Sequence, residues 1–371
     1  MRSKLTRVVI PVLLTVFFTT IGIMVYFENF RDISPLSVQS APDLQVKGLD
    51  VESEIILPTL QPSVSVKAPI SRSIYIGFWT QGFFDFKSNT LHPEALTSLE
   101  LKIGKKAAIA HYYRGWEWLD SSILLSEFET ISSYGWRPMI SVNPYFFEKC
   151  NANGKSLYAS IAVGNCDEFL KNAGRNLSQY KKPFFLRFAW EMNIESMEWS
   201  IQKTGSTSSD FILAWRRMHD FFEKEGVKNV LWVFAPDVGN TEYGNIYPGD
   251  NYVDWVGLDG YNWGTTQSWS RWQSFNEVFS NAYSAITLAA PNKPLMISEI
   301  NSTDQGGSKV SWYTDALQTQ ISRNFPKISA VVFYNEDRSA RENVNWLIDT
   351  SIESLKAFKD GTSNPIYKSS I

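Results

Sequence analysis

A chain of 371 residues, 44% of them hydrophobic and 15% aromatic, can bury one large core and is too apolar to remain disordered. Its net charge of -3 carries no global basic field, which argues against a nucleic-acid partner. The 14 Trp are an unusual load, and flat apolar rings beside hydroxyl-bonding polar groups suit the faces of sugars.

In chain order, Arg2, Lys4 and Arg7 precede the uncharged apolar stretch Val8–Phe27. At about 1.5 Å rise per residue, this stretch spans the roughly 30 Å hydrocarbon layer. Glu28-Asn29-Phe30-Arg31 follows in place of an Ala-x-Ala-like cleavage site, so a signal anchor is expected over 1–30, with the bulk of the chain outside the cytoplasm. Cleavage of the segment would leave a secreted protein instead. Residues 31–72 carry Pro35, Pro42, Pro58, Pro62 and Pro69 among Ser, Val and Gln, the composition of a semi-extended linker.

From residue 73 to 371 eight short apolar runs recur: Ile74–Phe78, Ala107–His111, Arg137–Val142, Phe184–Trp190, Val230–Phe234, Trp255–Leu258, Leu295–Ser298 and Ala330–Tyr334. They lack period-2 alternation, as parallel strands buried on both faces do. Helical patterns fit Pro93–Ile103, Ser122–Tyr134, Glu168–Tyr180, Trp272–Ala289 and Lys309–Phe325. The clearest helix carries Phe211, Ala214, Trp215, Met218, Phe221 and Phe222 on one stripe, with Ser208 or Ser209 to cap it and Gly226 to end it. This alternation has the size and rhythm of an α/β (β/α)8 TIM barrel. A doubly wound sheet would need a Gly-rich phosphate turn after its first strand, and Ile76-Gly77-Phe78-Trp79 is not one.

Cys150 and Cys166 lie in one Gly/Asn-rich segment after the third run. A disulfide there and two unpaired thiols are both open readings. With only His92, His111 and His219 in the chain, a zinc site is not expected.

Glu191 and Glu299 close the fourth and seventh runs. In a barrel such positions face one mouth, and two carboxyl groups across a sugar are the machinery of glycosidic cleavage. Trp190 and Met192 would desolvate Glu191 and keep it protonated as the acid, while Glu299 would be the nucleophile. Arg187 is the candidate to hold the charge of Glu299, and Tyr261 and Asn262 are candidates to donate hydrogen bonds to it. Asp85, Glu117, Glu195, Glu198, Asp237 and Asp259 are the other loop carboxylates, read mostly as solvated, with Asp237 a candidate helix cap. Trp116, Trp118, Trp199, Trp263, Trp269 and Trp346 fall in loops after strands, where each could stack on sugar or pack its loop. His111 either binds a sugar hydroxyl or is a satisfied buried histidine.

Residues 74–350 resemble glycoside hydrolase family 26, the β-mannanase family of the retaining (β/α)8 clan A. The resemblance rests on Leu186–Asn193, on Tyr247-Pro248-Gly249-Asp250 running into Val253–Asn262, and on Lys293-Pro294 with Ser298-Glu299. Ala108–Tyr113 and Asn229–Val233 add to it. It implies Glu191 as acid/base and Glu299 as nucleophile, with Tyr261 beside the nucleophile; Arg187, Asn193, Tyr261, Trp263, His111, Trp116 and Trp346 together are the substrate-binding candidates. It implies a polysaccharide substrate of the β-mannan or β-glucan type and no metal or organic cofactor. Two departures stand out: Trp190 occupies the place before the acid where the family usually has His, and Ile194–Trp199 replaces its Gly and closely spaced aromatics. The rival reading is a barrel that binds glycan in a cell-envelope or polysaccharide-assembly complex without cutting it.

Overall fold

The computed structural model describes residues 72–144, 150 and 156–371. The expected membrane helix and linker lie outside the described residues. Among the described residues no helix is long and apolar enough to cross a membrane.

Eight parallel strands form the centre: β1 (Ile74–Thr80), β2 (Ile109–Gly115), β3 (Arg137–Asn143), β4 (Phe184–Phe188), β5 (Val230–Phe234), β6 (Trp255–Asn262), β7 (Leu295–Ser302) and β8 (Ile328–Asn335). Each pairs with its sequence neighbours, and β8 pairs with β1 from Tyr75↔Ala330 to Thr80↔Asn335, which closes the barrel. A short strand, Tyr367–Lys368, adds to β1 at Ile74 and Tyr75. Every run read from the sequence overlaps a strand, but β2 begins at Ile109 rather than Ala107, and β4 ends at Phe188, two residues short of Trp190, because Ala189 turns into the left-handed region. The strands are almost wholly buried because the barrel fills one face and the helices cover the other, so their sequences show no alternation.

The α-helices longer than one turn are α1 (Pro93–Ile103), α2 (Ser122–Ser133), α3 (Leu157–Ala162), α4 (Asp167–Leu177), α5 (Ser208–Lys224), α6 (Phe275–Ala289), α7 (Lys309–Asp315, continuing as a π-helix over Ala316–Asn324) and α8 (Ile352–Thr362). On α5 the stripe Phe211, Ala214, Trp215, Met218 and Phe222 is buried, while Phe221 is only half-buried. Its cap is Thr207, one residue before the expected serines, in a reciprocal box with Asp210. Burying each large side chain of that stripe stabilises the fold by about 1.5–3 kcal/mol, and Trp215→Ala would cost about 3–5 kcal/mol. Trp272 lies before α6, which starts at Phe275 because the Ser274–Glu277 capping box fixes its first turn. Helices α3 and α8 were not among the patterns expected.

One irregularity in the barrel bears directly on the site. On β6 the register runs Leu258↔Ile297 and then Asp259↔Glu299, and on β8 it runs Val331↔Ile297 and then Phe333↔Ile300. Against both neighbours β7 therefore carries one extra residue at Ser298-Glu299, a bulge of the kind that re-aims a side chain. The backbones are crowded beside it. A Cβ on Gly257 would lie 2.6 Å from Ser298 Oγ and 2.9 Å from Ala235 Cβ, so no larger residue fits there.

Candidate active site

Glu191 stands just past the end of β4, in a turn whose residues Ala189 and Glu191 have φ of 49° and 53°. Left-handed backbone costs a residue with a Cβ about 1–2 kcal/mol. The turn is held by hydrogen bonds on both sides: Ala189 N–H donates to Val142 O on β3 and Glu191 N–H to Ala235 O just past β5, each at 2.9 Å. Glu191 and Glu299 are 6% and 5% exposed, so both reach the mouth while shielded from bulk water. One carboxylate oxygen from each of Glu191, Asp259 and Glu299 lies within 4.8 Å of the others.

Three donors converge on Glu299. Tyr113 Oη and Arg187 Nη1 donate to Oε1 at 2.7 and 2.8 Å, and Tyr261 Oη donates to Oε2 at 2.6 Å. Burial and the Glu299 charge push both tyrosines well above the ordinary phenol value, so they remain protonated donors. The other guanidinium nitrogen of Arg187 donates to Asp259, whose Oδ1 accepts from Ser298 Oγ at 2.6 Å. Burial alone would lower the pKa of Arg187, but Asp259 and Glu299 outweigh it and keep the side chain charged. The three acids are spaced closely enough to share a cation, yet Arg187 already bridges Asp259 and Glu299.

Glu191 has a different environment. Burial, then the charges of Asp237, Asp259 and Glu299, push its carboxyl well above the ordinary value, against a smaller opposing pull from Arg187. Asp237, at the end of β5, is pushed up to about 6, chiefly by burial. The site thus holds one carboxyl favoured in its protonated form opposite one whose anion accepts three hydrogen bonds. That pairing can protonate a leaving oxygen on one side and attack or stabilise an electrophilic carbon on the other.

Several expected site residues have other roles. His111 is fully buried, with Nε2 2.7 Å from Ser141 Oγ and 3.3 Å from Arg187 Nη1, so it cannot touch a sugar. Burial and Arg187 push its pKa well down, leaving a neutral ring that supports the arginine. Asn193 donates to the carbonyls of Asp237 and Asn240 and accepts from the Asp237 amide, all at 2.8 Å, which ties the acid's turn to the loop after β5. Asn262 donates to Ser302 Oγ and accepts from Gly264 and Gln273 amides, bracing its loop rather than Glu299. Trp116 is buried against Phe169 and Phe188, where it packs helix against barrel. Trp199 is also fully buried. Asp237 caps no helix; its Oδ1 accepts from Gly239 N at 2.5 Å within a turn.

Tyr261, Trp263 and Trp269 form an aromatic wall leading out from Glu299, backed by Trp346. The ring centroid of Trp263 lies 6.2 Å from Tyr261, 5.0 Å from Trp346 and 5.5 Å from Trp269. Trp346 is buried behind the wall, Trp263 is partly open, and Trp269 is 67% exposed.

Asp259 and Tyr113 were missed as site residues. Each had a signal in strand parity. Tyr113 follows His111 by two on β2, and Asp259 precedes Tyr261 by two on β6, so each shares a face with a residue already singled out. Cys150 and Cys166 form a disulfide at the start of α4.

Comparison with known proteins gives consistent matches. The profile of glycosyl hydrolase family 26 matches residues 153–334. Endoglucanase H of Acetivibrio thermocellus is 36% identical over 282 residues, covering 73% of this chain and 29% of that protein. A mannan endo-1,4-beta-mannosidase of Bacillus subtilis is 27% identical over 204 residues, covering 53% of this chain and 49% of that protein. The chain thus spans under a third of the first relative and about half of the second. Among solved structures, a GH26 beta-mannanase from Bacteroides ovatus superposes with a TM-score of 0.58 at 16% identity, over 80% of this chain and 90% of that one.

Proposed function

The chain belongs to glycosyl hydrolase family 26, and we propose that it is a retaining endo-acting glycoside hydrolase that cleaves a β-linked polysaccharide by double displacement. The observation that carries this reading is the Glu191–Glu299 pair, whose nearest oxygens are within 4.8 Å. Retaining sites set their carboxyl groups about 5–5.5 Å apart, whereas inverting sites need about 6.5–9.5 Å to admit a water. Glu299 attacks the anomeric carbon while Glu191, held protonated by burial, gives its proton to the departing oxygen. Glu191 then takes a proton from the water that opens the glycosyl ester.

A β-glucan is the favoured substrate over β-mannan. The endoglucanase is more similar than the mannosidase in identity and in the share of this chain covered. Trp190 and Ile194–Trp199 also depart from the mannanase-like pattern beside the acid. Trp263 and Trp269 are the sugar platforms of this reading. The barrel is read as held outside the cytoplasm by residues 1–30; the basic-then-apolar order of that segment and the Cys150–Cys166 disulfide both favour an oxidising compartment. Extraction of the full chain from a membrane fraction only by detergent would support the anchor.

The test is digestion of a mixed-linkage β-glucan, a cellulose derivative and a β-mannan, with the first-formed anomer read by NMR. Glu191→Gln should lower kcat by about 10²–10⁴-fold on unactivated glycans, the usual contribution of a positioned proton donor. Glu299→Gln should abolish turnover while leaving binding. First-formed α-anomer, or a parent that binds glycan and never cuts it, would overturn the proposal.

A further inference from the structure

Two residues in the left-handed region, Ala189 and Glu191, carry the chain out of β4, with Trp190 between them. Their amides are taken by Val142 on β3 and by Ala235 just past the end of β5. The carbonyl of Trp190, the other half of the Trp190–Glu191 peptide, accepts a 2.6 Å hydrogen bond from Trp199 Nε1. The two indoles lie 4.3 Å apart at 54°. The carbonyl of Trp199 in turn accepts from the hydroxyl of Tyr158 on α3, and Tyr158 is buried with its ring 5.1 Å from Phe211. Across the same loop, Ile201 N–H donates to Met192 O at 2.9 Å.

A flip of the planar Trp190–Glu191 peptide would change ψ of Trp190 and φ of Glu191 together and return Glu191 to negative φ. The strained turn therefore has an easy route to relax, and that route breaks the Glu191 N–H hydrogen bond to Ala235 and so loosens the turn that holds the acid. Two hydrogen bonds oppose it, one on each side of the peptide. Ala235 supplies the acceptor for the N–H, and Trp199 supplies the donor for the C=O. With a tryptophan directly before the acid, no side chain there offers an imidazole to steer the carboxyl, so its direction is set by the backbone.

We propose that Trp199 is a positioning residue for the acid/base: its indole N–H, seated by the Tyr158 hydroxyl, locks the Trp190–Glu191 peptide and so aims Glu191 at the leaving oxygen. This rests on reading Glu191 as the proton donor. It does not rest on which β-glycan is cut.

The test uses Trp199→Phe, which retains an aromatic ring and deletes the donor, and Tyr158→Phe, which deletes only the hydroxyl that seats it. Two substrates are compared: the polysaccharide, whose leaving oxygen needs a proton, and a dinitrophenyl β-glycoside of the same sugar, whose leaving group departs without one. Trp199→Phe should lower kcat/KM on the polysaccharide by roughly tenfold to a hundredfold, the cost of misplacing a reacting group by about 1 Å. On the activated glycoside kcat/KM should hold within about twofold, because no proton is needed in that step. The alkaline limb of the polysaccharide profile should move to lower pH, since a carboxyl released from Asp237, Asp259 and Glu299 gives up its proton more readily. Tyr158→Phe should show the same pattern more weakly. Equal losses on both substrates would mark Trp199 as packing alone and overturn the inference, as would no loss on either. A parent that cuts neither substrate would instead overturn the proposed function, and this inference with it.

Discussion

Replacing Asp237 with Asn should stabilise the protein at alkaline pH and shift its activity profile in the same experiment. The change is nearly isosteric, and Oδ1 can still accept from Gly239 N. Burial raises the carboxyl from its ordinary 3.8 to about 6. At 1.36 kcal/mol per pH unit that difference corresponds to about 3 kcal/mol. The side chain keeps some exposure, and water screens part of the effect, so about 1–2 kcal/mol is expected. The sign follows from the direction. The folded pKa lies above the unfolded one, so the contribution to stability is intact below about pH 3.8 and is lost as pH rises through about 6. Asn removes that loss. Thermal melts should show Asp237→Asn about 2–4 °C above the parent near pH 8 and level with it near pH 4. Because the Asp237 charge is the largest of those raising Glu191, the alkaline limb of kcat/KM should move to lower pH. A gain of equal size at both pH values, or a destabilised variant near pH 8, would refute the electrostatic reasoning.

Tyr261→Phe removes one of the three donors on Glu299, and a hydrogen bond to a charged group is worth about 1.5–3 kcal/mol; kcat/KM should fall about 10–100-fold, as steady-state kinetics would show. Trp269→Ala should raise KM on long polysaccharide and leave turnover of short glycosides within about twofold, since the exposed ring lies two aromatic steps out from Tyr261. Replacing Cys150 and Cys166 with Ser frees the loop between them and should cost about 3 kcal/mol of stability in denaturant titrations, with kcat changed little.

The barrel was legible because burial on both faces of a parallel sheet leaves eight apolar runs that no surface strand would tolerate, and turn residues mark their ends. Glu191, Glu299, Arg187 and Tyr261 were legible because each ends or flanks such a run. What escaped was set by contacts between strands. Asp259 sits in a run that gives no hint of Arg187 across the barrel, and only the register of β6 against β7, with its bulge, brings it beside Glu299. Asn193 and His111 have the chemistry of sugar ligands, but backbone carbonyls and Arg187 claim them, and such claims are made by residues distant in sequence. Trp116 and Trp199 show the same limit: a loop tryptophan after a strand reads alike whether it covers a sugar or a helix. Helix α3 is too short for its periodicity to register.

The charges of the site assign its roles without reference to sequence position. Four carboxyl groups, those of Glu191, Asp237, Asp259 and Glu299, face a single guanidinium, and the one nearby histidine is neutral. Arg187 makes direct contact with Asp259 and Glu299 and with neither of the others, so the proton this cluster must retain near neutrality is best kept on Glu191. In the proposed double displacement the same assignment lets one residue serve as acid and then as base. The charge of Glu299 is among those raising Glu191, and forming the glycosyl ester removes it. Glu191 then loses its proton more easily just when a base is required. Glu299→Gln imitates that neutralised state. Carbon-detected NMR titration of Glu191 should therefore find a lower pKa in Glu299→Gln than in the parent, and an unchanged or higher value would break the link between the two steps.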